Sequence, residues 1–201
     1  MTYPARATFS FPPEQKIRAF LLSTGQRTHV LAEAERLRPL IQQHVEIVGE
    51  DFTGQEDMSG VAADLAIVLG GDGSILRAAH QMGPRQLPVI AVNLGKLGFL
   101  ADVAPGELPK ILAELRSGRL QIAEHLMFDC RVIRDGAVVW NPIGLNEIAV
   151  RTGTPFLLMD INLYIDSELV TTYSGDGLIV STPWADLISP SFRERTFATK
   201  G

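Results

Sequence analysis

The stretch Asp64-Leu65-Ala66-Ile67-Val68-Leu69-Gly70-Gly71-Asp72-Gly73-Ser74-Ile75-Leu76 decides the fold. From Leu65 to Leu69 the chain is apolar without alternation, the pattern of a strand covered on both faces of a parallel sheet. Three glycines in four residues then permit backbone conformations closed to other residues and let a ligand come close. Ser74 stands where it could cap a helix running through Ile75, Leu76, Ala78, Ala79 and Met82 and stopped by Gly83-Pro84. A strand, a glycine turn and a helix N-terminus together form a phosphate site, because free amides and the positive end of the helix dipole face one space. Asp72 lies in the middle of that space. A carboxylate beside phosphates is unfavourable unless a metal or a proton-donating hydroxyl stands between them, which points to a Mg²⁺ contact or a base. The same residues also suit a plain tight turn in which Asp72 caps helix amides, and spacing alone leaves both readings open. The G-x-G-x-x-G and G-x-x-x-x-G-K-[ST] phosphate patterns do not occur here.

Outward from this turn, residues 17–22 and 45–48 read as further short strands, and 29–43 as a helix that kinks or ends near Arg38, ahead of Pro39. Residues 88–92 form the next buried strand, 93–100 a second glycine-rich turn, and 107–116 another helix closed by Gly118. Strands alternating with helices predict an α/β layer structure, a Rossmann-like domain built on a mostly parallel sheet. After Gly118 the character changes. Six stretches (126–134, 137–140, 145–151, 160–165, 169–173 and 178–181) read as strands separated by turn signals such as Asp135-Gly136 and Gly175-Asp176-Gly177. Ile161, Leu163 and Ile165 alternate with Asn162 and Tyr164, as in a half-covered antiparallel strand. The expected organisation is a flexible arm at 1–15, an α/β nucleotide-binding domain at 16–120, a partial all-β unit at 121–183 and a tail at 184–201.

Composition excludes several classes. Of 201 residues, 46% are hydrophobic and 20% charged, with a net charge of −5. A mildly acidic chain does not attract phosphate backbone in bulk, so no nucleic-acid partner is expected. No apolar run approaches the ~20 residues that span a bilayer, and 1–13 lacks a signal-peptide core, so no membrane partner is expected and the chain reads as cytoplasmic. The single Cys130 allows no internal disulfide, which fits a reducing compartment. His29, His44, His80 and His125 show no metal-ligand spacing, and G-x-S-x-G, the serine-hydrolase elbow, does not occur.

Gly70-Gly71-Asp72-Gly73 after an apolar strand resembles the GGDG motif shared by NAD kinases, diacylglycerol and sphingosine kinases and 6-phosphofructokinases. Three more segments select among them. Asn93-Leu94-Gly95-Lys96-Leu97-Gly98-Phe99-Leu100 resembles the NxGxLGFL segment of NAD kinases. Leu145-Asn146-Glu147 resembles their NE/D motif, and Gly175-Asp176-Gly177-Leu178-Ile179-Val180-Ser181-Thr182-Pro183 their second glycine-rich motif. The resemblance implies an α/β domain followed by a β-rich domain, usually assembled into homo-oligomers. It implies ATP and NAD as substrates, a divalent metal ion (Mg²⁺), and transfer of the γ-phosphoryl group to the 2′-hydroxyl of the adenosine ribose, giving NADP. By the same resemblance, Asp72 is the catalytic residue, and Gly71 and Gly73 pass close to the nucleotide. Phe99 lines the dinucleotide site, and Asn146, Glu147 and Asp176 contact the dinucleotide. After Pro183 the family continues T-G-S-T-A-Y, whereas this chain reads Trp184-Ala185-Asp186-Leu187-Ile188. That departure carries the expectation of weakened catalysis, from either a shifted reading frame or a natural divergent ending. A non-catalytic nucleotide-binding remnant and a lipid or sugar kinase of the wider GGDG group are the alternatives.

Overall fold

The computed structural model describes residues 6–25, 28–95, 100–155 and 157–182. In chain order the elements are β1 (Arg6–Phe9), β2 (Arg18–Ser23), α1 (Thr28–Gln42), β3 (Glu46–Asp51), β4 (Leu65–Leu69), α2 (Asp72–Met82), β5 (Val89–Val92) and α3 (Leu108–Glu114). The β-rich part follows with β6 (Leu120–Ala123), β7 (Met127–Asp129), β8 (Val132–Arg134), β9 (Ala137–Trp140), β10 (Ile143–Leu145), β11 (Glu147–Arg151), β12 (Met159–Ile165), β13 (Glu168–Gly175) and β14 (Gly177–Ser181).

Four strands form a parallel sheet in the order β3-β2-β4-β5. The apolar run of β4 is buried at every position, and the pleat divides it between two cores. Leu65, Ile67 and Leu69 join Ala19 and Leu21 of β2 beneath Ala34, Leu37 and Ile41 of α1 and Leu112 of α3. Ala66 and Val68 join Phe20 and Leu22 beneath Ile75, Leu76 and Ala78 of α2. Helices thus cover both faces, as the unbroken apolar pattern requires. The order also reverses at the centre. From β2 the chain goes to β3 on one side and then to β4 on the other, which opens a crevice at the carboxyl ends of β2 and β4.

The β-rich part consists of antiparallel pairs: β7 with β10, β8 with β9, β11 with β14, and β12 with β13. Leu145 of β10 is fully buried in the α2-side core and Met127, its cross-strand partner, packs against the same core, so this part begins docked beside α2.

Four expectations differ from the fold. The segment expected as a loose arm carries β1, which pairs antiparallel with β6. Phe11 is buried, the Phe9 and Phe11 rings meet edge to face at 4.8 Å, and the Arg116 guanidinium donates to the carbonyls of Pro13 and Gln15. Two phenylalanines carry enough apolar area to fasten the segment. Helix α1 does not end before Pro39 but runs through it to Gln42. Its buried stripe of Val30, Ala34, Leu37 and Ile41 spans the proline, and that packing outweighs one lost hydrogen bond. The expected strands 126–134 and 145–151 are each divided. The second divides at Asn146, whose backbone is left-handed with φ of 57°. Finally, the cap of α2 is Gly71, with no side-chain hydrogen bond, and not Ser74, whose hydroxyl is engaged with Thr24.

Candidate active site

Gly70 makes the turn out of β4. Its φ is +141°, and a Cβ there would lie 2.2 Å from the Ser74 Oγ. Its N–H donates to the Val92 carbonyl at 2.9 Å, and its own carbonyl accepts from the Leu94 N–H at 3.4 Å. The turn is thereby tied to the end of β5. Gly71 and Gly73 differ: a Cβ at either would meet nothing within 4 Å among the described residues. Their backbones border open space at the N-terminus of α2, where the free amides and positive dipole end lie.

Asp72 is the first residue of α2 and is half-buried. Its Oδ1 accepts from the N–H groups of Leu100 at 3.3 Å and Ala101 at 3.4 Å. The carboxylate therefore stands between the glycine turn and the far end of the second glycine-rich segment. That segment is pinned at both ends. The Asn93 N–H donates to the Val103 carbonyl at 2.8 Å, its Nδ2 donates to the Ala101 carbonyl at 3.2 Å, and its Oδ1 accepts from Gly95 N–H at 2.9 Å. Lys96 and Phe99 lie outside the described residues.

Asn146 leaves β10 beside buried Leu145, in the same core as Ile75, Leu76 and Ala101. Its carbonyl accepts from Thr182 N–H at 2.6 Å, and Glu147 lies opposite Ser181 in the β11–β14 ladder. Asp176 stands at the other end of that ladder, where its carbonyl accepts from Thr152 N–H at 3.0 Å. Glu147 to Arg151 separate the two ends, roughly 13 Å at about 3.3 Å per residue. Gly177, next to Asp176, is sterically required, since a Cβ would lie 2.3 Å from the Val150 carbonyl oxygen. Asp72 and the loop after β5 are thus brought together, Asn146 and Glu147 start from the same core, and Asp176 belongs to a separate corner.

Among the described residues no group of three or more His, Cys, Asp or Glu is assembled that could cage a metal. A single carboxylate at a phosphate turn fits Mg²⁺ of the kind held mainly by substrate phosphates and water. Burial holds the His125 pKa below the usual imidazole value.

Sequence reasoning passed over a polar cluster beside the turn. Ser23, the last residue of β2, donates its hydroxyl to the Leu69 carbonyl at 2.5 Å, and Thr24 and Ser74 share a hydrogen bond at 2.9 Å. It also passed over Asp51, the buried acid ending β3. The Asp51-Phe52-Thr53 order, an acid followed two residues later by a hydroxyl residue in a loop, was the signal that could have found it.

Residues 18–120, just over half of the chain, match the family model described as the ATP-NAD kinase N-terminal domain. The chain belongs to the NAD kinase family. The NAD kinase of Rhodopirellula baltica is 44% identical over 166 residues, covering 83% of this chain and 53% of that protein. The NAD kinase of Geobacter sulfurreducens is 38% identical over 153 residues, covering 75% of this chain and 54% of that protein. This chain spans about half the length of these curated relatives. The crystal structure of yeast NADH kinase complexed with NADH shares the fold, with a TM-score of 0.66 and 22% identity over 87% of this chain and 63% of that one.

Proposed function

We propose that this chain carries the phosphoryl-transfer site of an NAD kinase, in which ATP phosphorylates the 2′-hydroxyl of the adenosine ribose of NAD to give NADP. The observation that carries this reading is the half-buried Asp72 carboxylate, held between the open-faced Gly71–Gly73 backbone and the Leu100 and Ala101 amides.

In this reading the ribose oxygen attacks the γ-phosphorus and the bond from that phosphorus to the β–γ bridging oxygen breaks. ADP departs, and the hydroxyl proton passes to Asp72. Backbone amides at Gly71 and Gly73 face the donor phosphates, and the α2 dipole favours their charge. A Mg²⁺ ion carried on those phosphates, with Asp72 as the carboxylate near enough to meet it, would supply charge neutralisation at the leaving group. Asn146 and Glu147 supply polar contacts to the dinucleotide, Phe99 an apolar wall and Asp176 a further polar contact. Residues 16–120 form the nucleotide unit and 121–183 the β-rich unit that meets the dinucleotide. A cytoplasmic homo-oligomer is the expected setting.

The test is NADP formation from NAD and Mg-ATP, with Asp72→Asn as control. Activity in the parent, falling by roughly 10²- to 10⁴-fold in the variant while ATP still binds, supports the assignment. Activity indifferent to Asp72→Asn would remove the base from this residue.

A further inference from the structure

Asp51 is 5% exposed, and its two oxygens accept five hydrogen bonds. Oδ1 takes the Thr53 N–H at 2.6 Å and the Thr53 hydroxyl at 2.7 Å. Oδ2 takes the N–H of Gln55 at 2.8 Å, the N–H of Glu56 at 3.0 Å and Nε2 of Gln81 at 2.8 Å. The Gln81 amide also donates to the Glu56 carbonyl at 2.9 Å. Since Gln81 belongs to α2, one carboxylate fastens the end of β3, the loop after it and the helix that begins at Asp72.

The loop so folded bears on the glycine turn. Gly54, buried and with φ of +73°, sits so close to its neighbours that a Cβ would lie 2.5 Å from Arg77 Cγ and 2.9 Å from Thr24 Cγ2. Thr24 in turn shares its hydroxyl with Ser74, and the Ser74 hydroxyl is the atom a Gly70 Cβ would strike. A continuous set of contacts therefore runs from Asp51 through Gly54, Thr24 and Ser74 to the floor of the turn. Interiors packed this closely pass on displacement.

We propose that Asp51 is a positioning residue for the phosphate turn. By gathering residues 53–56 around its carboxylate it presses Gly54 onto Thr24 and Arg77 and so holds Ser74 and Gly70 in register with Asp72. Its bearing on catalysis rests on the kinase reading above, but its bearing on the turn does not. The arrangement suits a site whose tolerance is a fraction of an ångström, where misplacement of about 1 Å costs roughly a hundredfold in rate.

The test compares three variants of the whole chain. Asp51→Asn turns one oxygen into a donor facing donors. Thr24→Val keeps the shape and removes only the hydroxyl to Ser74. Ile41→Ala weakens the opposite core under α1 without touching the path. Amide hydrogen exchange is read at Gly70, Ser74, Leu76 and Arg77, and initial rates of NADP formation are measured in parallel. The expected result is exchange at these amides about tenfold faster in the first two variants than in Ile41→Ala, relative to strands β2 and β4. Where the parent makes NADP, kcat falls by about tenfold or more while KM for NAD holds. Acceleration spread evenly over the sheet, as in Ile41→Ala, would reduce Asp51 to a stability residue and overturn the proposal. A parent that makes no NADP would count against the kinase reading, while the exchange comparison would still decide the role of Asp51.

Discussion

A Cβ at Gly70 would lie 2.2 Å from the Ser74 hydroxyl on a backbone with φ of +141°, whereas one at neighbouring Gly71 would meet nothing within 4 Å among the described residues. Gly71 has φ of −99° and ψ of −168°, ordinary extended backbone for any residue. Two adjacent glycines thus serve different ends, and their alanine variants should separate. Gly70→Ala is expected to cost about 1–3 kcal/mol in urea unfolding, through strain and the displaced serine. Gly71→Ala is expected to leave stability within about 0.5 kcal/mol of the parent and to weaken ATP binding by filling the space the phosphates need. Equal unfolding costs in the two variants would show that the open face of Gly71 is not the distinction drawn here. Composition and spacing did not separate the two glycines, and only the family resemblance singled out Gly71; the steric difference lies in where Ser74 and Thr24 come to rest, and Thr24 is 50 residues away in the chain from Ser74.

Among the elements, the β3–loop–α2 junction is the one whose stability should respond to pH. Burial alone would raise the Asp51 pKa. The donors on it, the Thr53 hydroxyl and the N–H groups of Glu56, Thr53 and Gln55, outweigh burial and hold the group down at about 2. A pKa lower in the folded than in the unfolded chain means stabilisation that is complete above the unfolded value. That stabilisation is lost as pH falls towards the folded value. The gap in unfolding free energy between the parent and Asp51→Asn should therefore be constant above about pH 5 and narrow by about 2 kcal/mol on approach to pH 2. Subtracting the variant removes the other carboxylates, so a gap indifferent to pH in that window would mean that Asp51 is not held ionised by the loop. Elements of this kind were only partly legible in the sequence. The run Leu65–Leu69 announced β4 and both its cores, because a strand covered on two faces needs no polar alternation. Of the two readings of α1, a kink or an end near Arg38, the end is overturned, since propensity is local and the stripe that holds the helix through Pro39 is tertiary. Asn146 hid a break between β10 and β11, because its left-handed φ of 57° is one that asparagine adopts without a glycine to mark it. The alternation in β12 holds from Met159 to Tyr164 and fails at Ile165, just past the register shift with β13 between Leu163 and Tyr164.

At the scale of the whole molecule the two parts bury apolar surface very unequally. Within the described residues, the large hydrophobics that are fully buried lie at or before Leu112, from Ile17 and Phe20 onward, with Leu145 of β10 as the exception, while every exposed large hydrophobic lies at or after Leu126. Trp140 is 65% exposed, Ile133 60% and Leu157 82%. Strand β9 is exposed at all four positions, and the β8–β9 and β12–β13 ribbons are two-stranded sheets. Isolated ribbons are marginal in water, and apolar patches of this extent together with open strand edges attract further protein. The α/β part, with sheet faces covered on both sides, has no such need. This polarity predicts that the chain self-associates through its β-rich part. Sedimentation velocity between about 1 and 100 μM should show mass rising with concentration. The paired substitution Ile133→Thr and Trp140→Thr, placed on β8 and β9 outside the parallel sheet, should shift that rise to higher concentration without changing exchange protection in β2 and β4. A chain that stays monomeric throughout the range would mean that the β-rich strands cover these side chains among themselves in solution, and the unequal burial would then have no consequence for assembly.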